Sequence, residues 1–160
     1  MTQLLNYRIN ELSKDKSGNV FVGGKKGIEK EALRIVKNGR LSLTGHPKGL
    51  GSALTNPFIT TDFSEALLEF VTPAYRESKQ TIKFLSDIHQ FTHDCIGNEL
   101  LWPASMPCLV SEDKNIPLAR YGSSNIGKMK TIYRRGLGYR YGRKMQVIAG
   151  IHFNYSLFVF

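Results

Sequence analysis

The sequence has few cysteines, no long apolar run and no acidic residue in its last 47 positions. Its two cysteines, Cys95 and Cys108, match neither a metal-binding spacing nor a disulfide framework, so a cytoplasmic, reducing compartment is expected. No apolar run approaches the roughly 20 residues of a membrane helix, which predicts no membrane partner. The start, MTQLLNYRINELSKDK, lacks the cationic and apolar regions of a signal peptide.

The missing acids make the charge distribution uneven. The chain has 22 Lys and Arg residues against 13 Asp and Glu residues, a net charge of +9. From Lys114 onward there are nine basic residues and no acid, so the preceding residues are neutral overall. The basic segment could bind nucleic acid, face anionic substrates, or pair with acids in sequence that is absent here.

The length of 160 residues and the hydrophobic content of 41% predict one globular domain with a modest core. A short helix is expected at about residues 4–12. Residues 77–96 have the clearest amphipathic pattern, with apolar positions every three or four residues, and Gly97 ends it.

The run GIEKEALRI places Glu29 and Glu31 among apolar residues. Propensity favours a helix here, but the Asn38-Gly39 pair between two alternating runs is a strong hairpin signal. We therefore predict strands at 27–36 and 40–43. On a strand both glutamates point to one face, whereas on a helix they would point in nearly opposite directions.

The run TTDFSEALLEFVTP repeats this pattern with Asp62, Glu65 and Glu69. A strand at 65–71 would place both glutamates on one face, and Pro73 would end it. After the predicted helix at 77–96, the segment LWPASMPCL has two prolines and is expected to be an extended loop.

The chain ends in an alternating run, MQVIAGIHFNYSLFVF, which predicts a strand from about Gln146. Its polar face carries His152 and Asn154, which is typical of a site, although a lone histidine is more often a hydrogen-bonded core residue. The uncharged end SLFVF would leave an exposed strand edge, so we expect the sheet to continue in sequence absent here.

Acidic side chains on strands with apolar neighbours are rarely buried without a partner. Four carboxylates share this placement: Glu29, Glu31, Asp62 and Glu69. A hard cation such as Mg²⁺ would satisfy them, with His152 as a further ligand. A solvated sheet face paired with Lys26, Lys30 and Arg34 would satisfy them as well, and the pattern leaves the two interpretations even.

A basic and aromatic cluster lies in the acid-free segment. Its members are Tyr133, Arg134, Arg135, Tyr139, Arg140, Tyr141 and Arg143. Such a cluster could bind nucleic acid, clamp a carboxylate or phosphate, or form a solvated helix face. Nucleic acid is least favoured because no known motif is present. The preceding GSSNIGKM is not a P-loop, since Met129 replaces its hydroxyl residue, but it could be a substrate loop.

Several blocks together resemble the amino-terminal part of proteobacterial glutamate–cysteine ligase (γ-glutamylcysteine synthetase). These blocks are GIEKEALRI, TGHPKGLGSALTNPFITTDFSEALLEFVTP, LWPASMPC, YGSSNIGKMKTIYRRGL and GIHFNYS. The match extends from about Gly27 to Ser156. The resemblance implies an α+β fold, part of a glutamine synthetase-like catalytic domain with an antiparallel sheet and flanking helices.

The resemblance also implies an activity, which is ATP-dependent ligation of the γ-carboxylate of L-glutamate to L-cysteine through γ-glutamyl phosphate. This is the first step of glutathione biosynthesis. The implied Mg²⁺ ligands, which would also accept Mn²⁺, are Glu29, Glu31, Asp62, Glu69 and His152. Tyr133 is implied in the cysteine pocket and Arg134 beside it in substrate binding. No catalytic or nucleotide-binding residue is assigned.

Members of this family are much longer than this chain and usually continue with proline after the position of Leu157. We therefore expect residues 1–160 to be a single partial catalytic domain, truncated or frameshifted, that lacks a carboxy-terminal portion and is not competent alone. A small basic nucleic-acid-binding module is the alternative function, and a gene remnant without function is a third.

Overall fold

Within residues 2–14 and 23–157, which the computed structural model describes, five strands form one antiparallel sheet accompanied by three helices. The helices are α1 (Thr2–Lys14), α2 (Ser78–Cys95) and α3 (Asn125–Tyr141). The strands are β1 (Lys26–Ile35), β2 (Ile59–Thr61), β3 (Leu67–Val71), β4 (Leu100–Leu101) and β5 (Ile151–Tyr155). The predicted α+β class is confirmed.

The long strand β1 is the centre of the sheet. It pairs with β3 along one edge, and β2 lies beyond β3. Along its other edge, β1 pairs with β5 at its amino-terminal half and with β4 at its carboxy-terminal end. This register sets Glu31 directly opposite Glu69 of β3, and Glu29 directly opposite His152 of β5.

The two faces of the sheet are covered differently. On one face, Ala32, Leu68 and Phe70 are fully buried and pack in one cluster with Ile88 of α2. On the other face, only the part around Leu33 and Leu67 is covered by a second apolar cluster, whose members also include Phe63, Ile116 and Val147. Side chains alternate along a strand, so the acidic residues lie on the uncovered remainder of this second face.

The predicted turn at Asn38-Gly39 is confirmed, but the predicted strand 40–43 is wrong. Gly39 has a positive φ of 79°, and its N–H donates to the carbonyl of Val36 at 2.8 Å. In place of the second strand, two isolated bridges form, an antiparallel one between Leu41 and Ile35 and a parallel one between Arg40 and Leu109. The chain then bends away because the carbonyls of residues 44 and 45 accept hydrogen bonds from the buried guanidinium of Arg34.

The helices α1 and α2 confirm the predictions at 4–12 and 77–96, while two strands are shorter than predicted. Strand β3 begins at Leu67 because a tight turn at residues 64–66 precedes it. Strand β5 begins at Ile151 because residues 144–147 form a short 3₁₀ helix that buries Val147. The short strands β2 and β4 were not predicted, and β4 includes Leu101, the first residue of the expected loop.

Among the helices in the described parts of the chain, none is long and apolar enough to cross a membrane. The end of the predicted SLFVF strand edge, residues 158–160, lies outside the described residues.

Candidate metal site

Three strands bring four of the predicted metal ligands together on the open face of the sheet. Glu29 and Glu31 come from β1, Glu69 from β3 and His152 from β5. Asp62 directly follows β2, and its charge acts on both Glu31 and Glu69. The period-two alternation of β1, rather than helical spacing, produces this convergence.

Glu31 and Glu69 form the centre of this group. They are half-buried and stand directly opposite each other in the antiparallel pair, an arrangement that is destabilising for like charges. Burial, together with the neighbouring carboxylates, raises the pKa of Glu69 above its ordinary value. Burial also raises the pKa of Glu31, although the N–H of Gly150 donates to its Oε2 at 2.7 Å and opposes that shift.

Glu29 is oriented by two side chains of β5. Its Oε2 lies 3.2 Å from Nδ1 of His152, and its Oε1 accepts a hydrogen bond from Nδ2 of Asn154 at 3.0 Å. The hydrogen bond to Glu29 is the main reason that the pKa of His152 is raised. The polar face predicted for the last strand is therefore confirmed, and it serves the same acidic group.

Asp62 is held by α3 and by the segment before it. Nε of Arg134 donates to the backbone carbonyl of Asp62, and its Nη2 lies 3.8 Å from the Asp62 carboxylate. The guanidinium of Arg134 also stacks 4.7 Å from the centre of the Tyr121 ring. The hydroxyl of Tyr121 donates to the carbonyls of Thr61 and Asp62 at 2.6 and 2.9 Å. One cation–aromatic pair thus fixes the turn that carries Asp62.

Among the described residues, none of the acidic side chains of this group forms an ion pair with Lys26, Lys30 or Arg34, as the alternative of a solvated sheet face required. Nζ of Lys26 donates to the carbonyl of Arg76, and Nζ of Lys30 donates to the backbone carbonyl of Glu31. Arg34 is buried on the opposite face and pairs with Glu99 at 2.5 Å. The acidic group therefore keeps an excess of negative charge.

The donor chemistry of this group fits a hard cation, because carboxylate oxygens with one imidazole are ligands that Mg²⁺ or Mn²⁺ accept. Within the described parts of the chain, however, no three acidic, histidine or cysteine side chains converge closely enough to enclose an ion. Instead, Glu29 is turned toward His152 and Asn154, and Glu31 toward Gly150. These contacts hold the carboxylates near one another without closing a coordination shell.

Two residues of the prediction lie apart from this group. Glu65 is buried away from the acidic face, because its carboxylate accepts the backbone N–H groups of His46 and Arg120, each at 2.6 Å. Tyr133 is 60% exposed, and neither a hydrogen bond nor a ring contact joins it to another described residue. The segment GSSNIGKM is the start of α3, where Ser124 caps the N–H of Gly127 at 3.1 Å, rather than a substrate loop.

Three features of the site were missed by sequence reasoning. They are the Tyr121 anchor, the Gly150 donor and an open cavity of about 300 Å³ beside Glu29. Thr72, Asn154 and the backbone around Gly27 contribute to the cavity wall. In the sequence, the polar positions of the last strand were the one signal that pointed to this cavity.

Known proteins are similar to this chain in sequence. A family model described as glutamate–cysteine ligase matches residues 9–159. The glutamate–cysteine ligase of Alcanivorax borkumensis is 55% identical over 152 residues, covering 95% of this chain and 29% of that protein. The glutamate–cysteine ligase of Pseudoalteromonas translucida is 52% identical over 155 residues, covering 97% of this chain and 30% of that protein.

Solved structures agree. The crystal structure of a glutamate–cysteine ligase from Francisella tularensis in complex with AMP superposes with a TM-score of 0.83 at 44% identity, over 85% of this chain and 27% of that one. A bifunctional glutathione synthetase from Pasteurella multocida gives a TM-score of 0.80 at 31% identity, over 92% of this chain and 19% of that one. The chain spans less than a third of these relatives' length, and it belongs to the glutamate–cysteine ligase family.

Proposed function

We propose that this chain carries the divalent-cation side of a ligase site that joins the γ-carboxylate of L-glutamate to the amine of L-cysteine through γ-glutamyl phosphate. The observation that carries the proposal is the direct opposition of Glu31 and Glu69, with Glu29, Asp62 and His152 around them. Two half-buried carboxylates facing each other are unfavourable without a neutralising partner, and a divalent cation would supply one. ATP is the proposed co-substrate, supported by the AMP complex of the Francisella relative.

When bound, Mg²⁺ would neutralise charge on the transferring phosphoryl group. The protein's own part is to hold the ligands: His152 and Asn154 orient Glu29, Gly150 orients Glu31, and Arg134 fixes the turn of Asp62. The cavity beside Glu29 has room for an amino-acid substrate. Tyr133 and Arg134 are the proposed substrate-binding residues, and Tyr133 is accessible on α3 for that role.

We further propose that ligation requires surface that the longer relatives carry outside the matched region, so that residues 1–160 act as a partial catalytic domain in the cytosol. The matched region covers only 29% of the Alcanivorax protein. The part of the sheet face that carries the acidic group is not covered by the apolar cluster around Leu33 and Leu67. Purified chain with glutamate, cysteine, ATP and Mg²⁺ should form no γ-glutamylcysteine above background. Steady formation would show that the chain is competent alone.

The metal half-site is tested by titrating the chain with Mn²⁺ and recording free Mn²⁺ by electron paramagnetic resonance. Saturable binding is expected, and Glu29→Gln or Glu69→Gln should weaken it at least tenfold. Glu112→Gln is the matched control, because Glu112 is an exposed acid paired with Lys114 away from the sheet face. Absence of binding by the unsubstituted chain, or equal loss in the control, would refute the half-site.

A further inference from the structure

A second charged feature lies on a different face of α3. Two adjoining cavities, of about 520 and 550 Å³, share three lining residues: Arg120, Thr131 and Arg135. Lys128 lines one cavity, and Arg143 lines the other. Positions 128, 131, 132 and 135 recur at helical spacing and share one side of α3, whereas Arg134 lies off that side and reaches Asp62.

Three cations of this cleft have no acidic partner, whereas Lys114 at the far wall pairs with Glu112. The side chains of Arg120, Lys128 and Arg135 form neither a hydrogen bond nor an ion pair with any residue in the described parts of the chain. Glu65 is the acid in the cleft wall, and both of its oxygens are already occupied by backbone N–H groups. Like charges that converge without a counterion raise the local potential and favour binding of an anion.

The backbone holds the walls of the cleft in place. The Thr131 hydroxyl donates to the carbonyls of Ala119 and Gly127, which joins α3 to the segment carrying Arg120. Arg143 donates to the carbonyls of Lys114 and Ile116 and fixes the far wall. The unpartnered guanidinium groups of Arg120 and Arg135 therefore project from anchored backbone. Two neighbouring guanidinium groups can bind the oxygens of a phosphate.

We propose that this basic cleft binds a phosphate-bearing small molecule through Arg120, Lys128 and Arg135. Its volume suits a ligand of nucleotide size rather than a single inorganic ion. The cleft is separate from the acidic group, so it does not depend on the cation-binding role proposed above. It also gives a role to cations of the acid-free segment that the metal site does not use.

The test is isothermal titration calorimetry with pyrophosphate at physiological salt and with EDTA present, so that divalent cations cannot contribute. Saturable binding is expected, and the double variant Arg120→Gln/Arg135→Gln should weaken it at least tenfold. The control Arg140→Gln/Lys144→Gln removes the same net charge outside the cleft and should change the affinity less than twofold. Glu69→Gln should retain binding, which separates this result from any failure of the metal site.

Two further titrations define the ligand. ATP that binds more tightly than pyrophosphate would support a nucleoside in the adjoining cavity, and equal affinities would support recognition of the phosphates alone. Equal weakening by both double variants would overturn the proposal, because it would show that only net charge matters. No saturable pyrophosphate binding, or binding of single-stranded RNA that pyrophosphate does not displace, would overturn it as well.

Discussion

At the scale of single residues, two pairs of charged side chains among the described residues contrast. Arg34 and Glu99 form a pair of opposite charges: the Arg34 side chain is 1% exposed, and its guanidinium also donates to the carbonyls of Thr44, Gly45 and Glu65, while Nε has no partner among the described residues. Glu31 and Glu69 form an unsatisfied pair of like charges. Buried pairs of opposite charge serve structure, whereas uncompensated carboxylates on an open face serve binding.

Replacing Glu69 by glutamine should therefore stabilise the metal-free chain. Glutamine has nearly the same shape and removes one of two opposed charges, and no hydrogen bond to the Glu69 carboxylate is lost among the described residues. We expect the free energy of unfolding in urea with EDTA to rise by about 0.5–1 kcal/mol. A decrease would mean that Glu69 already has a compensating partner. The same variant should lose the stabilisation that Mn²⁺ gives the unsubstituted chain.

Breaking the pair of opposite charges between Arg34 and Glu99 should have the opposite effect. Arg34→Met removes the guanidinium and leaves Glu99, whose side chain is 12% exposed, without its partner. We expect the free energy of unfolding to fall by about 3–5 kcal/mol. Lys83→Met is the control, because it breaks an exposed pair with Asp87 and should cost less than about 1 kcal/mol. Similar losses in both variants would contradict this assignment.

At the scale of elements, the placement of α3 depends on a close approach at Gly127. A Cβ at this position would overlap the carbonyl oxygen of Tyr121, while a Cβ at Gly136 would meet only the end of the flexible Arg140 side chain. The Tyr121 segment lies under Arg134 and holds the turn of Asp62. The spacing between α3 and this segment therefore decides whether Arg134 reaches the acidic group.

Gly127→Ala should destabilise the chain although alanine is the better helix former. We expect a loss of about 1–3 kcal/mol in the free energy of unfolding, because the helix must move away from Tyr121. Gly136→Ala, in the same helix, should be neutral or add up to about 1 kcal/mol. Both values come from urea unfolding followed by circular dichroism, and a gain in both variants would show that Gly127 is not a contact point.

The elements that the sequence predicts well are those with strong local signals. The apolar period of α2 and the Asn38-Gly39 turn are read directly, and two-residue alternation correctly placed Glu29 and Glu31 on one face. The misplaced boundaries have nonlocal causes. The predicted strand 40–43 is replaced by a loop whose carbonyls accept hydrogen bonds from the buried Arg34 guanidinium. Glu65 lies away from the acidic face because its carboxylate accepts the backbone N–H groups of His46 and Arg120. Such partners, 11 to 55 residues away in sequence, leave no local pattern.

At the scale of the whole molecule, opposite charges occupy different surfaces. The acidic group lies on the sheet face, and the basic cleft lies between α3 and the segment that precedes it. The net charge of +9 therefore does not reveal that the described surface carries regions of both signs. The sequence showed that the excess positive charge lies after residue 113, but it did not predict a basic cleft separate from the acidic group.

The stability of the whole chain should respond to pH through two half-buried histidines, His89 and His46. His89 of α2 stacks 4.2 Å from the ring of Phe70, and its Nδ1 lies 2.8 Å from the carbonyl of Leu85. Burial lowers the pKa of His89, and the charges of Lys30 and His93 lower it further, while the Leu85 carbonyl opposes them. Burial and the charge of Arg34 likewise lower the pKa of His46.

A histidine with a lowered pKa stays neutral in the folded chain, whereas the unfolded chain gains a proton as the pH falls through about 6.5. The contribution of His89 to stability is therefore present above that pH and lost below it. The raised pKa values of His152, Glu31 and Glu69 act in the opposite direction, so the effect of His89 must be isolated by substitution.

We expect His89→Gln to lose less unfolding free energy than the unsubstituted chain between pH 7.5 and 5.5, measured by urea titration at both values. Gln90→Ala, an exposed neighbour on α2 without a titratable group, should leave the difference between the two pH values unchanged. The readout is the change with pH rather than the stability at either pH, so a general loss of packing at position 89 cannot produce it. An equal loss in the variant and the unsubstituted chain would mean that His89 carries the same protonation in both states.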